Sequence, residues 1–145
     1  NPATSVEFAA STMDDTAFIG EIVRRTGCGL LHDANNAYVA CTNHGRDPYA
    51  YIDALPLAAV DEIHLAGFAR EIDTRGDTLL IDSHGAPVAQ AVWDLYRRAL
   101  ELTGPVATLL ERDNDIPALD VLLAEAGLAE SMLQALSIHA PRRAA

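Results

Sequence analysis

The chain has 145 residues, half of them hydrophobic and 21% charged, with a formal net charge of −11 at pH 7. That length and apolar content suit one domain, or part of one, with a real core, and they exclude a disordered chain. The acidic balance argues against nucleic acid and anionic membrane as partners, because both need a basic surface.

Apart from the histidines every basic side chain is arginine, which reads as genomic composition bias. Cys28 and Cys41 are the only cysteines. A chain this hydrophobic needs no disulfide staple, so they are expected to be reduced thiols in a cytoplasmic protein. No apolar run approaches the ~20 residues of a membrane span, and no signal-peptide pattern opens the chain. It begins at Asn1-Pro2 without a methionine, which suggests a segment of a longer protein.

In chain order, Ser11 to Asp14 has the residues of a helix start, Phe18, Ile19, Ile22 and Val23 recur at helical spacing, and Gly27 stops the helix. Gly29 to Asp33 reads as a first strand. Asn35 to Pro48 is polar and contains Gly, Asn and Pro, so it reads as a long functional loop. Pro48 opens a short helix to Leu55, and Val60 to Leu65 is a second strand. Ala66 to Asp77 reads as another loop and Thr78 to Ile81 as a third strand. Pro87 starts an amphipathic helix with Val88, Val92, Leu95, Ala99 and Leu102 on one face, closed by Gly104-Pro105. Val106 to Leu110 is a fourth strand. Pro117 opens a last helix that Gly127 interrupts, followed by a helical stretch from Leu128 to Leu136 and a frayed basic tail over 139–145.

Continuous apolar strands alternating with helices imply an α/β fold with a parallel sheet. Four such strands match about half of a (β/α)8 TIM barrel, whose active sites sit at the C-terminal strand ends and whose complete form needs ~250 residues. The expected organisation is therefore the C-terminal portion of a single barrel domain over residues 1–138. Half a barrel has two open sheet edges, which favours self-association.

Metal-ligand side chains stand where the apolar strands run out. Asp33 and Asn36 offer oxygens at the first strand exit, although Asx residues equally favour turns. His64 lies in Ile63-His64-Leu65-Ala66-Gly67; its aliphatic neighbours suit a core histidine, while Gly67 lets backbone pass close to a ligand. In Asp82-Ser83-His84, residues i and i+2 of an extended segment point to the same side, so both reach one ion; a salt-bridged pair is the plainer alternative. Asp with His suits iron, manganese or zinc better than magnesium or calcium, and Asp82 and His84 are the candidate catalytic pair. Glu111 ends the fourth strand, where burial is costly unless the carboxylate is paired or metal-bound. Arg112, Asp113 and Asp115 behind it read as a solvated loop and helix start. His44 and Arg46, on the long loop, are candidate substrate contacts. No phosphate loop, Cys-x-x-Cys pair or nucleophile elbow supports other chemistries.

With these residues in view, the chain resembles a bacterial family of multinuclear non-haem iron-dependent oxidative enzymes with a xylose-isomerase-like TIM barrel. It was long catalogued as a domain of unknown function and includes the oxygenase of methanobactin biosynthesis. The stretches that carry the resemblance are Thr26 to Val39, Asn43-His44-Gly45 with Asp47-Pro48, Glu62 to Gly67, Leu80 to His84, Val92-Trp93 and Leu110 to Pro117.

The resemblance implies that Asp33, Asn36, His64, Asp82, His84 and Glu111 are ligands of two or three iron ions (Fe2+/Fe3+), with another divalent metal as the variant. It implies oxidation of cysteine in a ribosomally made precursor peptide, with a separate peptide-recognition protein as partner. The family's bridging glutamate would fall immediately before Asn1, and two histidines of earlier strands are absent. Ser83 replaces the commoner threonine, Phe68 stands where many relatives have histidine, and Asn1 to Ser5 match the usual opening loosely. Two alternatives stay open: a metal-dependent sugar isomerase or phosphoesterase-like barrel enzyme, and an inactive barrel fragment lacking the full ligand set.

Overall fold

Helix α1 (Asp15–Thr26) forms where the apolar periodicity places it, and Gly27, at φ +69°, ends it with its N–H on the Val23 carbonyl. Only Ile19 of that stripe is buried; Phe18 and Ile22 remain exposed. A computed structural model describes residues 8–137. The opening Asn1 to Ser5, the tail over 139–145 and His139 lie outside them.

Three strands, β1 (Leu30–Asp33), β2 (Val60–Leu65) and β5 (Ala107–Leu110), form one parallel sheet in the order β1-β2-β5. Asp33 is level with His64, and Leu65 with Leu110, so the strands end along a common rim. Helices cross between the strands, as parallel connections require. The architecture is mixed α/β, compatible with part of a TIM-like barrel.

Alternation along the strands decides which side chains meet the helices. Ile63 and Leu65 are wholly buried with Val92, Leu95, Tyr96, Ala99 and Leu100 of helix α4 (Gln90–Thr103), Ala37 and Cys41 of α2 (Ala34–Asn43), and Ile52 of α3 (Pro48–Asp53). Each large apolar side chain so buried contributes about 1.5–3 kcal/mol. Glu62 and His64 project from the opposite face, and Leu109 remains 45% exposed.

Three expectations need correction. The segment read as a long loop from Asn35 contains helix α2 (Ala34–Asn43), followed by α3 (Pro48–Asp53). Its asparagines resemble turn chemistry, but Asp33 caps the helix by accepting the Asn36 N–H at 2.8 Å, and Ala34, Ala37, Val39, Ala40 and Cys41 are buried. Secondly, the parallel strands number three, not four, among the described residues. Thr78–Ile81 (β4) pairs antiparallel with Ala69–Ile72 (β3), inside the segment read as a second loop. The intervening turn is closed by Asp73, whose carboxylate accepts the N–H groups of Arg75 and Asp77, and by Gly76 at φ +90°. A tight turn of this kind joins antiparallel neighbours, whereas a parallel return needs a crossover of a dozen or more residues. Thirdly, helix α5 runs unbroken from Leu119 to Ser137 through Gly127. One internal glycine costs a helix only about 1 kcal/mol, and α5 packs on the core through Ala129, Met132 and Leu133.

His32, on β1, is fully buried, and desolvation pulls its imidazole from 6.5 down to about 4. The folded protein therefore holds it neutral while the unfolded chain binds a proton below about pH 6.5, so this contribution to stability is lost as pH falls from 6.5 towards 4. His32→Gln is expected to flatten denaturant-unfolding stability across that window, where wild type loses up to about 3 kcal/mol from this group. An unchanged slope would show that the imidazole is not held neutral.

Candidate metal centre

The rim is assembled from three strand ends and the return of the hairpin. Asp33 closes β1, and its buried carboxylate doubles as the cap of α2. Burial pushes that carboxyl up; the Asn36 N–H opposes the shift, Asp82 and Glu111 add to it, and His84 draws it back. His64 is the penultimate residue of β2. Glu111 continues the line of β5 because its N–H donates to the Leu65 carbonyl at 2.8 Å.

Asp82 and His84 arrive from β4 and are fixed against β2 through Gly67, whose carbonyl accepts the His84 N–H at 3.0 Å. A Cβ on Gly67 would lie 1.9 Å from the Ala86 carbonyl oxygen, so no other residue fits. His84 itself sits at φ +52°, which costs a non-glycine residue on the order of 1 kcal/mol. The segment after β5 holds that turn: the Asn114 amide donates to the Ser83 carbonyl at 2.8 Å, and the Asp113 N–H to the His84 carbonyl at 3.1 Å. Gly67→Ala is therefore expected to displace His84 as well as overpack the turn, lowering stability by about 1–3 kcal/mol. Thermal melts with and without added divalent metal would check it; wild-type behaviour in both would sink the argument.

Asp33, His84 and Glu111 each place one ligand atom within 4.8 Å of the others, close enough to hold one ion. Glu111 stands between two imidazoles, Oε1 at 3.3 Å from His64 Nδ1 and Oε2 at 3.4 Å from His84 Nδ1. His84 Nε2 lies 3.0 Å from Asp82 Oδ1, and its Nδ1 also lies 3.2 Å from Asp113. The Asn36 amide donates to Asp82 Oδ2 at 3.2 Å, and the Asn35 amide donates to Oδ1. The six residues singled out as ligands thus form one connected net, with Asp33, His84 and Glu111 at its centre and Asn36 reaching it through Asp82.

His44 and Arg46 are not brought to this net. They follow the C-terminal end of α2, which lies roughly 10 Å of helix from Asn36. Arg46 pairs there with Asp15 at 3.3 Å, beside a cavity of about 280 Å3 lined in part by Asp47 and Tyr51. Sequence reasoning missed three neighbours of the net. Asn35 is wholly buried on Asp82, and no local pattern reveals it. Asp113 lies against His84 although it reads as a solvated loop residue. Glu62 touches His64 at 3.3 Å, and its spacing of two residues in a strand was the available signal.

The donor set fits a cation. Asp33, Asp82 and Glu111 crowd two imidazoles, and among the described residues no arginine pairs with any of the three. Mixed carboxylate and imidazole donors suit iron, manganese or zinc.

These features define an α/β protein with a carboxylate–imidazole cluster at the C-terminal rim of a parallel sheet. Over residues 1–134 the chain matches the family described as RiPP precursor modification enzyme MbnB/TglH/ChrH, and it belongs to that family. It is 64% identical over 127 residues to a UPF0276 protein of Bordetella parapertussis, covering 88% of this chain and 44% of that one. It is 51% identical to a UPF0276 protein of Caulobacter sp. (92% and 48%), and 50% identical to one of Rhizobium meliloti (92% and 43%). The chain thus spans less than half the length of these curated relatives. Among the described residues no helix is long and apolar enough to cross a membrane.

Proposed function

We propose that this chain supplies one side of a multinuclear non-haem iron centre in an enzyme that oxidises cysteine in a ribosomally made precursor peptide. The reading rests on one observation above all: Asp33, His84 and Glu111, from three separate segments, converge to within 4.8 Å, and Glu111 faces His64 as well. Family membership supports the peptide substrate. Asp33, His64, Asp82, His84 and Glu111, with Asn36, would hold two or three iron ions, inside a xylose-isomerase-like barrel that a longer protein completes. A separate peptide-recognition protein is the expected partner.

Iron held by these residues would supply dioxygen activation and affinity for a thiolate. The chain's own residues orient and neutralise. Asp82 is held by the amides of Asn35 and Asn36, and in turn engages His84 Nε2. That contact turns His84 Nδ1 towards Glu111 and Asp113. A sugar-phosphate substrate is disfavoured, because the rim is acidic and Arg112, the basic residue that follows Glu111, is engaged by Glu125.

The test uses the longer protein purified without oxygen. Two or three irons per chain, with oxygen uptake and a mass change at a cysteine of the precursor peptide, are expected. Zinc or manganese in place of iron, with no oxygen uptake, would end the oxygenase reading.

A further inference from the structure

His64 is gripped on both ring nitrogens by acceptors. Its Nδ1 lies 3.3 Å from Glu111 Oε1, at the centre of the cluster, and its Nε2 lies 3.3 Å from Glu62 Oε1, one pleat back on the same strand face. A neutral imidazole carries one N–H, so only one of these carboxylates receives it, and the other nitrogen presents a lone pair. The two acceptors are not equivalent. Glu111 also faces His84 through its second oxygen, whereas the Glu62 side chain has His64 as its polar partner.

We infer that Glu62 is the positioning residue for His64: it accepts the Nε2–H and so aims the Nδ1 lone pair at the cluster. The inference rests on the metal-centre reading for its consequence, though not for its geometry. Carboxylates in this position fix the tautomer and ring orientation of a ligating histidine, and losing one costs metal affinity about 10–100-fold. The Glu62 side chain is 44% exposed, so replacing it leaves the core intact.

The experiment compares wild type, Glu62→Gln and Glu62→Leu in the full chain, with zinc as a diamagnetic probe. Nitrogen-15 spectra of labelled histidine, with His64→Gln to assign the signal, are expected to show His64 protonated at Nε2 in metal-free wild type at about pH 9, above the ordinary imidazole range. The zinc-loaded protein should keep that proton and bind through Nδ1. Zinc affinity should fall about 10–100-fold in Glu62→Leu. It should largely recover in Glu62→Gln, whose side chain keeps an acceptor oxygen. A wild-type His64 protonated at Nδ1 would overturn the inference, and so would a Glu62→Leu protein with wild-type affinity. Should wild type take up no zinc, the metal-centre reading fails, while the metal-free spectrum still decides which nitrogen Glu62 holds.

Discussion

Replacing His84 by alanine is expected to abolish metal retention, cutting affinity by at least about 100-fold, the upper end of what even outer-shell partners contribute. The imidazole lies within 3.0–3.4 Å of Asp82, Glu111 and Asp113, so its loss removes a donor and leaves three carboxylates facing one another. Two measurements separate loss of the site from loss of the fold. Iron or zinc content after desalting should fall to background, and the melting temperature should no longer rise on adding metal. In wild type a metal present at 100 times its dissociation constant stabilises by about 2.7 kcal/mol. Undiminished metal content in His84→Ala would remove that residue, and the ligand assignment with it.

The second large effect lies behind the rim. Arg112 follows Glu111 directly, and its guanidinium is almost wholly buried, donating at 2.8 Å to Glu125 of α5. The other oxygen of Glu125 accepts the Val88 N–H at 2.9 Å, so one carboxylate ties together the segment after β5, the segment before α4 and α5 itself. Glu125→Ala leaves the Arg112 charge buried without its partner, which costs about 3–5 kcal/mol. At 2–4 °C per kcal/mol the melting temperature should fall by roughly 10 °C. The double variant Arg112→Met with Glu125→Gln should recover most of the loss, since it removes the stranded charge and keeps an amide oxygen to accept the Val88 N–H. A Glu125→Ala protein within about 1 kcal/mol of wild type, the ceiling for a surface pair, would refute the buried-pair account.

Much of the rim was legible because strand ends are local features. Ile63-His64-Leu65 and Leu110-Glu111 place a polar side chain directly against an apolar run, and the sheet register then aligns those ends. Asp82 and His84 were singled out by the two-residue spacing of an extended strand end, but β4 stops at Ile81 and His84 lies at φ +52°. The turn held by Gly67 and Asn114, not strand alternation, sets where they stand. Helix α2 was misread because Asn35 and Asn36 look like turn residues. Their amides are occupied by Asp82, more than forty residues away, which no reading of neighbours reveals.

Order and spacing along the chain therefore determined the α/β character, the strands β1, β2 and β5 and which side chains end them, because hydrophobic periodicity and glycine or proline stops act over a few residues. Tertiary structure alone decided that Thr78–Ile81 folds back on Ala69–Ile72, that Asn35 is a buried hydrogen-bond donor to Asp82, and that Asp113 sits against His84. The contacts of Asn35 and Asp113 depend on partners brought together across tens of residues, where burial leaves each polar group to find the acceptor or donor that the fold happens to bring near.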